Sequence, residues 1–246
     1  MSKVQSLGEE METRHGFLGV PSRTFDEGGR RQFIALLCEG LSPESRLCEI
    51  GAGCLRTAYW LIRFLEPRRY CGIEPFRDRV TWGLDTLFTG DMLADKQPRF
   101  DFNDTFDTSV FQERFDFFLA GSIWTHAAKH HIQTMLEGFR ENALEDATFL
   151  ASYLPARTFE EDYLGDVWVG TSHQSDTPGI VRHGLSWIER QCAERGLSVA
   201  QLPGRAFDGQ FWLSIRRHDA APRRERIVNP ALAAGRRDRA STAAGA

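Results

Sequence analysis

The chain has no apolar run near the roughly 18 consecutive residues that a membrane-spanning helix needs, so no such helix is expected. Paired cysteines are also missing. Five occur, Cys38, Cys48, Cys54, Cys71 and Cys192, an odd number with no C-x-x-C spacing. That pattern supports neither a disulfide framework nor a zinc site, and reads instead as reduced residues in the core. No metal is expected. Positive charge is scarce over most of the chain. From Arg216 onward eight arginines face three acids, a local charge of +5 within a total of −4, which leaves −9 on residues 1–215. An acidic body argues against nucleic acid as a partner, because phosphate backbones demand clustered Lys and Arg. The stretch Met1 to Arg23 lacks an apolar signal core, so the expected location is cytoplasmic.

What is present is a composition of 41% apolar and 26% charged residues over 246 positions. This suits one globular domain with additions. Residues 1–24 are polar, show no clear period, and are expected to form a flexible arm. Residues 25–217 carry alternating strand and helix patterns. Residues 218–246, rich in Arg and Ala, have too few apolar groups to offset the entropy of ordering and are expected to be a disordered tail.

The most informative stretch is Arg46-Leu47-Cys48-Glu49-Ile50-Gly51-Ala52-Gly53-Cys54-Leu55-Arg56. It reads as a buried strand ending near an acid, a turn on two glycines, and a helix with Ala58, Leu61, Ile62 and Leu65 at helical spacing. The glycines allow a tight turn and close backbone approach to a ligand. The helix N-terminus behind them offers free N–H groups and partial positive charge. A dinucleotide fold wants G-x-G-x-x-G; here Arg56 holds the third glycine position. Glu49, a carboxylate two residues before the first glycine, suits a ligand carrying positive charge. About twenty residues on, Tyr70-Cys71-Gly72-Ile73-Glu74 is a second strand ending on an acid, the distance at which a βαβ unit offers a carboxylate to ribose hydroxyls. Pro75 then ends the strand.

The rest of the domain follows the same alternation. A helix over Glu27–Gly40, capped by Asp26, precedes the first strand. Asp78–Leu87 reads as the second crossover helix and Thr89–Gln97 as polar connection. Strands are expected at Pro98–Asp104, Phe115–Ser122, Ala147–Leu154, Leu197–Leu202 and Gln210–Ile215, with helices at His130–Asn142 and Leu185–Arg195. Residues 155–184, rich in acids, aromatics and turn residues, form a long patternless segment. They are expected to cover the substrate.

On the acid–G-x-G turn, the Tyr70–Pro75 strand end and the exit Ser122-Ile123-Trp124-Thr125-His126, the chain resembles the class I S-adenosylmethionine (SAM)-dependent methyltransferases. It looks like a bacterial subgroup that pairs G-x-L-R with Y-x-G-I-[DE]-P. The resemblance implies a Rossmann-like α/β fold: a mostly parallel seven-stranded sheet with one antiparallel terminal strand and helices on both faces. It implies SAM as cofactor, held by Glu49, Gly51, Ala52, Gly53 and Arg56 at the turn and by Glu74 and Pro75 at the second strand. Asp104 and Thr105 would meet the adenine, and the small residues Ala120 and Ser122 would line the fourth strand's exit. The acceptor is expected to be a small molecule, for example one offering a hydroxyl of a sugar or other polar metabolite. In that case His126 is the candidate base, since imidazole titrates near neutral pH. Tyr153, Tyr163 and His173 are weaker candidates. A non-catalytic SAM-binding protein of the same fold and, more distantly, a nicotinamide oxidoreductase remain alternatives. Oligomeric state and acceptor identity stay open.

Overall fold

The computed structural model describes residues 1–170, 179–204 and 206–218. The expected tail, apart from His218, and the candidate His173 lie outside the described residues. The core is a seven-stranded sheet made of β1 (Leu47–Ile50), β2 (Tyr70–Ile73), β3 (Arg99–Asp101), β4 (Phe115–Ala120), β5 (Ala143–Tyr153), β6 (Leu197–Gln201) and β7 (Phe211–Arg217). Their order across the sheet is β3-β2-β1-β4-β5-β7-β6. The first five strands run parallel, and β7 is antiparallel to both β5 and β6. This is the sheet expected from sequence.

Strands β1 and β2 are buried along their whole length, as near-continuous apolar runs between helical layers should be. One layer packs Phe118, Phe139, Phe149 and Ile188 against the sheet, and the other packs Leu36, Leu61, Val80 and Leu119. The helices are α1 (Lys3–His15), α2 (Phe25–Cys38), α3 (Ala58–Phe64), α4 (Arg77–Leu87), α5 (Gly90–Lys96), α6 (Lys129–Asn142) and α7 (Leu185–Ala193).

Three expectations are corrected. The N-terminal arm is not loose over Lys3–His15. That stretch is α1, which buries Val4, Gly8 and Met11 and contacts α2 and α4. Close packing explains the docking: a Cβ at Gly8 would lie 2.4 Å from the Phe25 ring, and His15 stacks on Trp82 at 4.5 Å. A fully buried methionine alone contributes about 1.5–3 kcal/mol, enough to hold a helix that is weakly amphipathic by itself. Asp26 does not cap α2. It lies inside the first turn, where Ser2 Oγ donates to its carboxylate at 2.6 Å and so ties α1 to α2. The polar connection 89–97 contains α5, started by Thr89, whose hydroxyl accepts from the Met92 N–H.

The described parts of this segment, residues 154–170 and 179–184, are fastened to the loop that leaves β4. Val181 N–H donates to Thr125 O at 2.8 Å, Val169 N–H to His126 O at 2.9 Å, and His183 N–H to Leu154 O at 3.0 Å. Asp162 pairs with Lys129 at 2.6 Å and accepts the Gly184 N–H at 3.0 Å, joining the segment to the starts of α6 and α7.

Candidate active site

After Ile50 the chain turns through Gly51 and Gly53, whose φ angles of 79° and 54° lie in the region that favours glycine. The Gly51 and Ala52 N–H groups both donate to Ile73 O, at 2.9 and 3.0 Å, which locks the turn to the end of β2. Just past that end, the Glu74 carboxylate accepts from Gly53 N–H at 2.9 Å and from Phe76 N–H at 3.1 Å, with Arg79 Nη1 3.6 Å away. Burial raises the Glu74 pKa; Arg79 and the two N–H groups oppose that rise. A carboxylate has about four acceptor positions, so this one keeps capacity for further donors.

Glu49 is turned away from this opening. It is buried and accepts from Tyr70 Oη at 2.6 Å. Burial pushes its pKa up to about 8, against the lowering effects of the Tyr70 hydrogen bond and nearby Arg56.

A cavity of about 290 Å³ opens at the carboxyl ends of β1, β2 and β4. Its near wall is Gly51, Gly53, Arg56, Glu74 and Pro75; its far wall includes Ser122, Ile123, His126 and Trp168. Ligands of open α/β sheets bind at this edge. Gly121 and Ser122 form the floor. Ser122 is a non-glycine residue at φ 63°, held there by a ring of hydrogen bonds. Its N–H donates to Ser152 Oγ at 2.7 Å, Ser152 Oγ donates to Gln210 Oε1 at 2.7 Å, and Gln210 Nε2 donates to Ser122 Oγ at 2.9 Å. A Cβ at Gly121 would meet Gln32 Oε1 at 2.0 Å, so any larger residue there would displace this buried amide.

His126 is fixed by its ring. Nδ1 lies 2.7 Å from Val169 O. A carbonyl only accepts, so Nδ1 carries the proton and the lone pair of the neutral ring is on Nε2. Burial lowers the His126 pKa, and the Val169 and Gly179 carbonyls oppose the shift. The ring stacks on Trp168 at 5.8 Å, and Trp168 stacks in turn on Phe106 at 6.0 Å.

Of the residues expected at the site, Gly51, Gly53, Arg56, Glu74, Pro75, Ser122 and His126 line the cavity. Ala52 and Ala120 are buried beside it, where they support the turn and the end of β4. Asp104 and Thr105 are exposed and off the wall. Asn103 curls their loop on itself by donating to Asp107 O and accepting the Asp107 N–H, which carries both side chains toward solvent. The adenine contact implied for them is not supported by this placement. The sequence reading missed the strap Phe17–Pro21, which runs from α1 across the cavity mouth, and Arg79 and Phe207 on the wall. A signal for the strap existed: Val4, Leu7, Gly8 and Met11 recur at helical spacing just before the apolar Phe17-Leu18-Gly19-Val20.

No protein-family model and no curated protein sequence matches the chain. Solved structures do. Magnesium protoporphyrin IX methyltransferase (ChlM) from Synechocystis PCC 6803, with bound S-adenosylhomocysteine (SAH), aligns with a TM-score of 0.57 at 16% identity, over 87% of this chain and 95% of that one. A DhpI–SAH complex aligns with a TM-score of 0.56 at 12% identity, over 88% and 94%. The glycopeptide N-methyltransferase MtfA, complexed with SAM, gives 0.55 at 16%, over 78% and 94%. The chain has the class I methyltransferase fold. Within that fold the glycine turn after β1, the acid after β2 and the exit of β4 surround one cavity. The methyltransferase fold also accounts for the reversed β7, which fills the sheet between β5 and β6.

Proposed function

We propose that the protein is a SAM-dependent methyltransferase acting on a small-molecule acceptor. The observation that carries this reading is the pairing of the glycine turn with Glu74 at the mouth of the cavity. A fixed carboxylate 2.9 Å from the Gly53 N–H suits a ribose diol, while the bare turn admits the rest of the nucleoside. The similar structures that hold SAM or SAH support the choice of cofactor. Transfer from a sulfonium is an in-line displacement by an already activated donor, so alignment and water exclusion are the main tasks. The strap Phe17–Pro21 and the segment around Trp168 supply the exclusion.

For a hydroxyl acceptor, a proton must leave as the new bond forms. His126 Nε2 is the base in this reading, and its lowered pKa keeps the ring neutral at pH 7. A small acceptor is favoured by the limited volume of the cavity, about 290 Å³, and by the −9 charge of residues 1–215. The named similar proteins act, by their names, on magnesium protoporphyrin IX and on a glycopeptide. The segment 155–184 is the acceptor's cover in this reading, since Val169 and Val181 fasten its described parts to the His126 loop. Two measurements test it. Calorimetry should show binding of SAM and none of NAD, and SAH should accumulate when SAM is incubated with a metabolite extract. SAM binding without SAH formation from any extract would favour a non-catalytic SAM-binding protein.

A further inference from the structure

The loop that carries His126 away from β4 is gripped through four consecutive carbonyls. Thr125 O accepts from Val181 N–H and His126 O from Val169 N–H, both backbone donors that survive a change of side chain. The outer carbonyls, Trp124 O and Ala127 O, converge on one side-chain atom, His183 Nε2, at 3.1 Å each. Carbonyls only accept, so Nε2 carries the ring proton and shares it between them. The convergence follows from the turn in the loop, where His126 N–H donates to Ile123 O at 3.0 Å.

His183 is itself fixed at the exit of β5. Its N–H donates to Leu154 O and its carbonyl accepts from Ala156 N–H, each at 3.0 Å. The side chain is fully buried and is not part of the cavity wall. Its Nδ1 is buried with no hydrogen-bond partner among the described residues. Burying a polar atom without a partner is costly, and an apolar side chain would fill the same space without that cost. The ring's polar task is therefore the bridge from β5 to the loop after β4, which it clasps on both sides of His126. The clasp has a consequence for the cavity. His126 keeps its proton on Nδ1 only while that atom stays within reach of Val169 O, now at 2.7 Å. A loop that drifts breaks this bond, and a freed imidazole prefers the opposite tautomer, with its proton on Nε2.

We propose that His183 is a positioning residue for His126: its Nε2–H, donated to Trp124 O and Ala127 O, holds the loop so that His126 presents a bare Nε2 to the cavity. The inference rests on the reading of His126 as the base, and it adds the residue that aims it.

Nitrogen NMR of the histidine rings in isotope-labelled full-length protein reads the tautomer of each imidazole. At neutral pH wild-type protein should show His126 with its proton on Nδ1 and His183 with its proton on Nε2. His183→Phe keeps a ring of similar size and removes the donor. His126 should then lose its single signature and show the mixed tautomers of a free imidazole. His183→Gln, whose amide nitrogen reaches the Nε2 position, should retain it. SAH formation from SAM and a metabolite extract should fall roughly 10- to 100-fold in His183→Phe, the scale of a misplaced catalytic group, and far less in His183→Gln. SAM affinity by calorimetry should be unchanged in both, which also reports that they are folded. If His183→Phe does not fold, His183→Asn, whose amide stops short of the two carbonyls, takes its place. An unchanged His126 signature without the donor, or an equal loss with Gln, would overturn the proposal and leave the base reading standing. A lost signature with undiminished SAH formation would support the clasp and overturn His126 as the base.

Discussion

On the β1–β2 side of the cavity, the lining comes from one short stretch of chain. Gly53 and Glu74 are 21 residues apart and meet at 2.9 Å because a single βαβ unit brings them together. On the β4 side, distant segments converge. His126 is positioned by Val169, 43 residues on, and Ser122 by Gln210, 88 residues on. The strap Phe17–Pro21 arrives from the other end of the chain. The first wall is thus a local construction that tolerates change elsewhere. The second depends on the whole fold being in place.

The comparison can be broken most sharply at the glycine turn. Gly51→Val should abolish SAM binding. Gly51 has φ 79°, and a Cβ there would lie 2.1 Å from Ile123 Cδ1, so backbone strain and collision act together. Gly53→Val meets no atom within 4 Å and carries only the strain of φ 54°, so its effect in calorimetry should be the smaller of the two. Equal effects would mean that the Ile123 contact does not matter.

His126→Asn tests the other wall. It should lower kcat by roughly 10²–10⁴-fold, the range for a general base, with SAM affinity unchanged. The pH profile gives an independent reading. The base works as neutral imidazole, and burial sets its pKa below the usual value of 6.5. Activity should therefore be flat above pH 6.5 and fall as pH drops through a lower value. A limb that rises above pH 7 would assign the base to another group.

Glu74→Ala should weaken SAM by about 1.5–3 kcal/mol, the range for hydrogen bonds to a charged group. A 2′,3′-dideoxyribose analogue should be weakened far less, and similar losses for both would remove Glu74 from the ribose.

A smaller effect is expected from Asp162→Asn, which loses the ion pair with Lys129 and weakens the bond from Gly184 N–H. The acceptor KM should rise roughly ten-fold through misplacement of the cover, with SAM affinity unchanged. A loss confined to SAM would reverse the assignment of the two walls.

The smallest expected effect is on stability. Glu49 is raised to about 8 by burial. A folded-state pKa above the unfolded value means that stability is fully present near pH 4 and is lost as pH rises to about 8. Glu49→Gln keeps an acceptor for Tyr70 and removes the charge. It should raise the melting temperature at pH 8–9 and leave it unchanged near pH 4. A thermal melt series across pH decides this.

The local wall was legible because its signals are short-range. Two glycines, an acid before them and an acid about twenty residues later describe one βαβ unit, and each of those positions has a backbone or charge requirement of its own. Glu49 was read as an acid facing a positively charged ligand; in the structure it is buried and accepts from Tyr70, a hydroxyl that comes from the neighbouring strand and that no local pattern shows. Asp104 was misread for the opposite reason. A loop acid placed by analogy moves freely when a neighbour such as Asn103 closes the loop on itself. The N-terminal arm was misread because polar residues mask the narrow apolar stripe of α1, which becomes stable only against Phe25 and Trp82.

By itself the sequence determined the strand order along the chain, the reversed last strand, the glycine turn and the acid that faces it, because hydrophobic period and backbone sterics act over a few residues. Only the tertiary structure decided that Glu49 turns inward to Tyr70, that Arg56 is packed against Gly28 and Gly29, and that a strap from α1 crosses the cavity. Those features follow from which surfaces exclude water together. That is a property of segments far apart in the chain, and no local pattern records it.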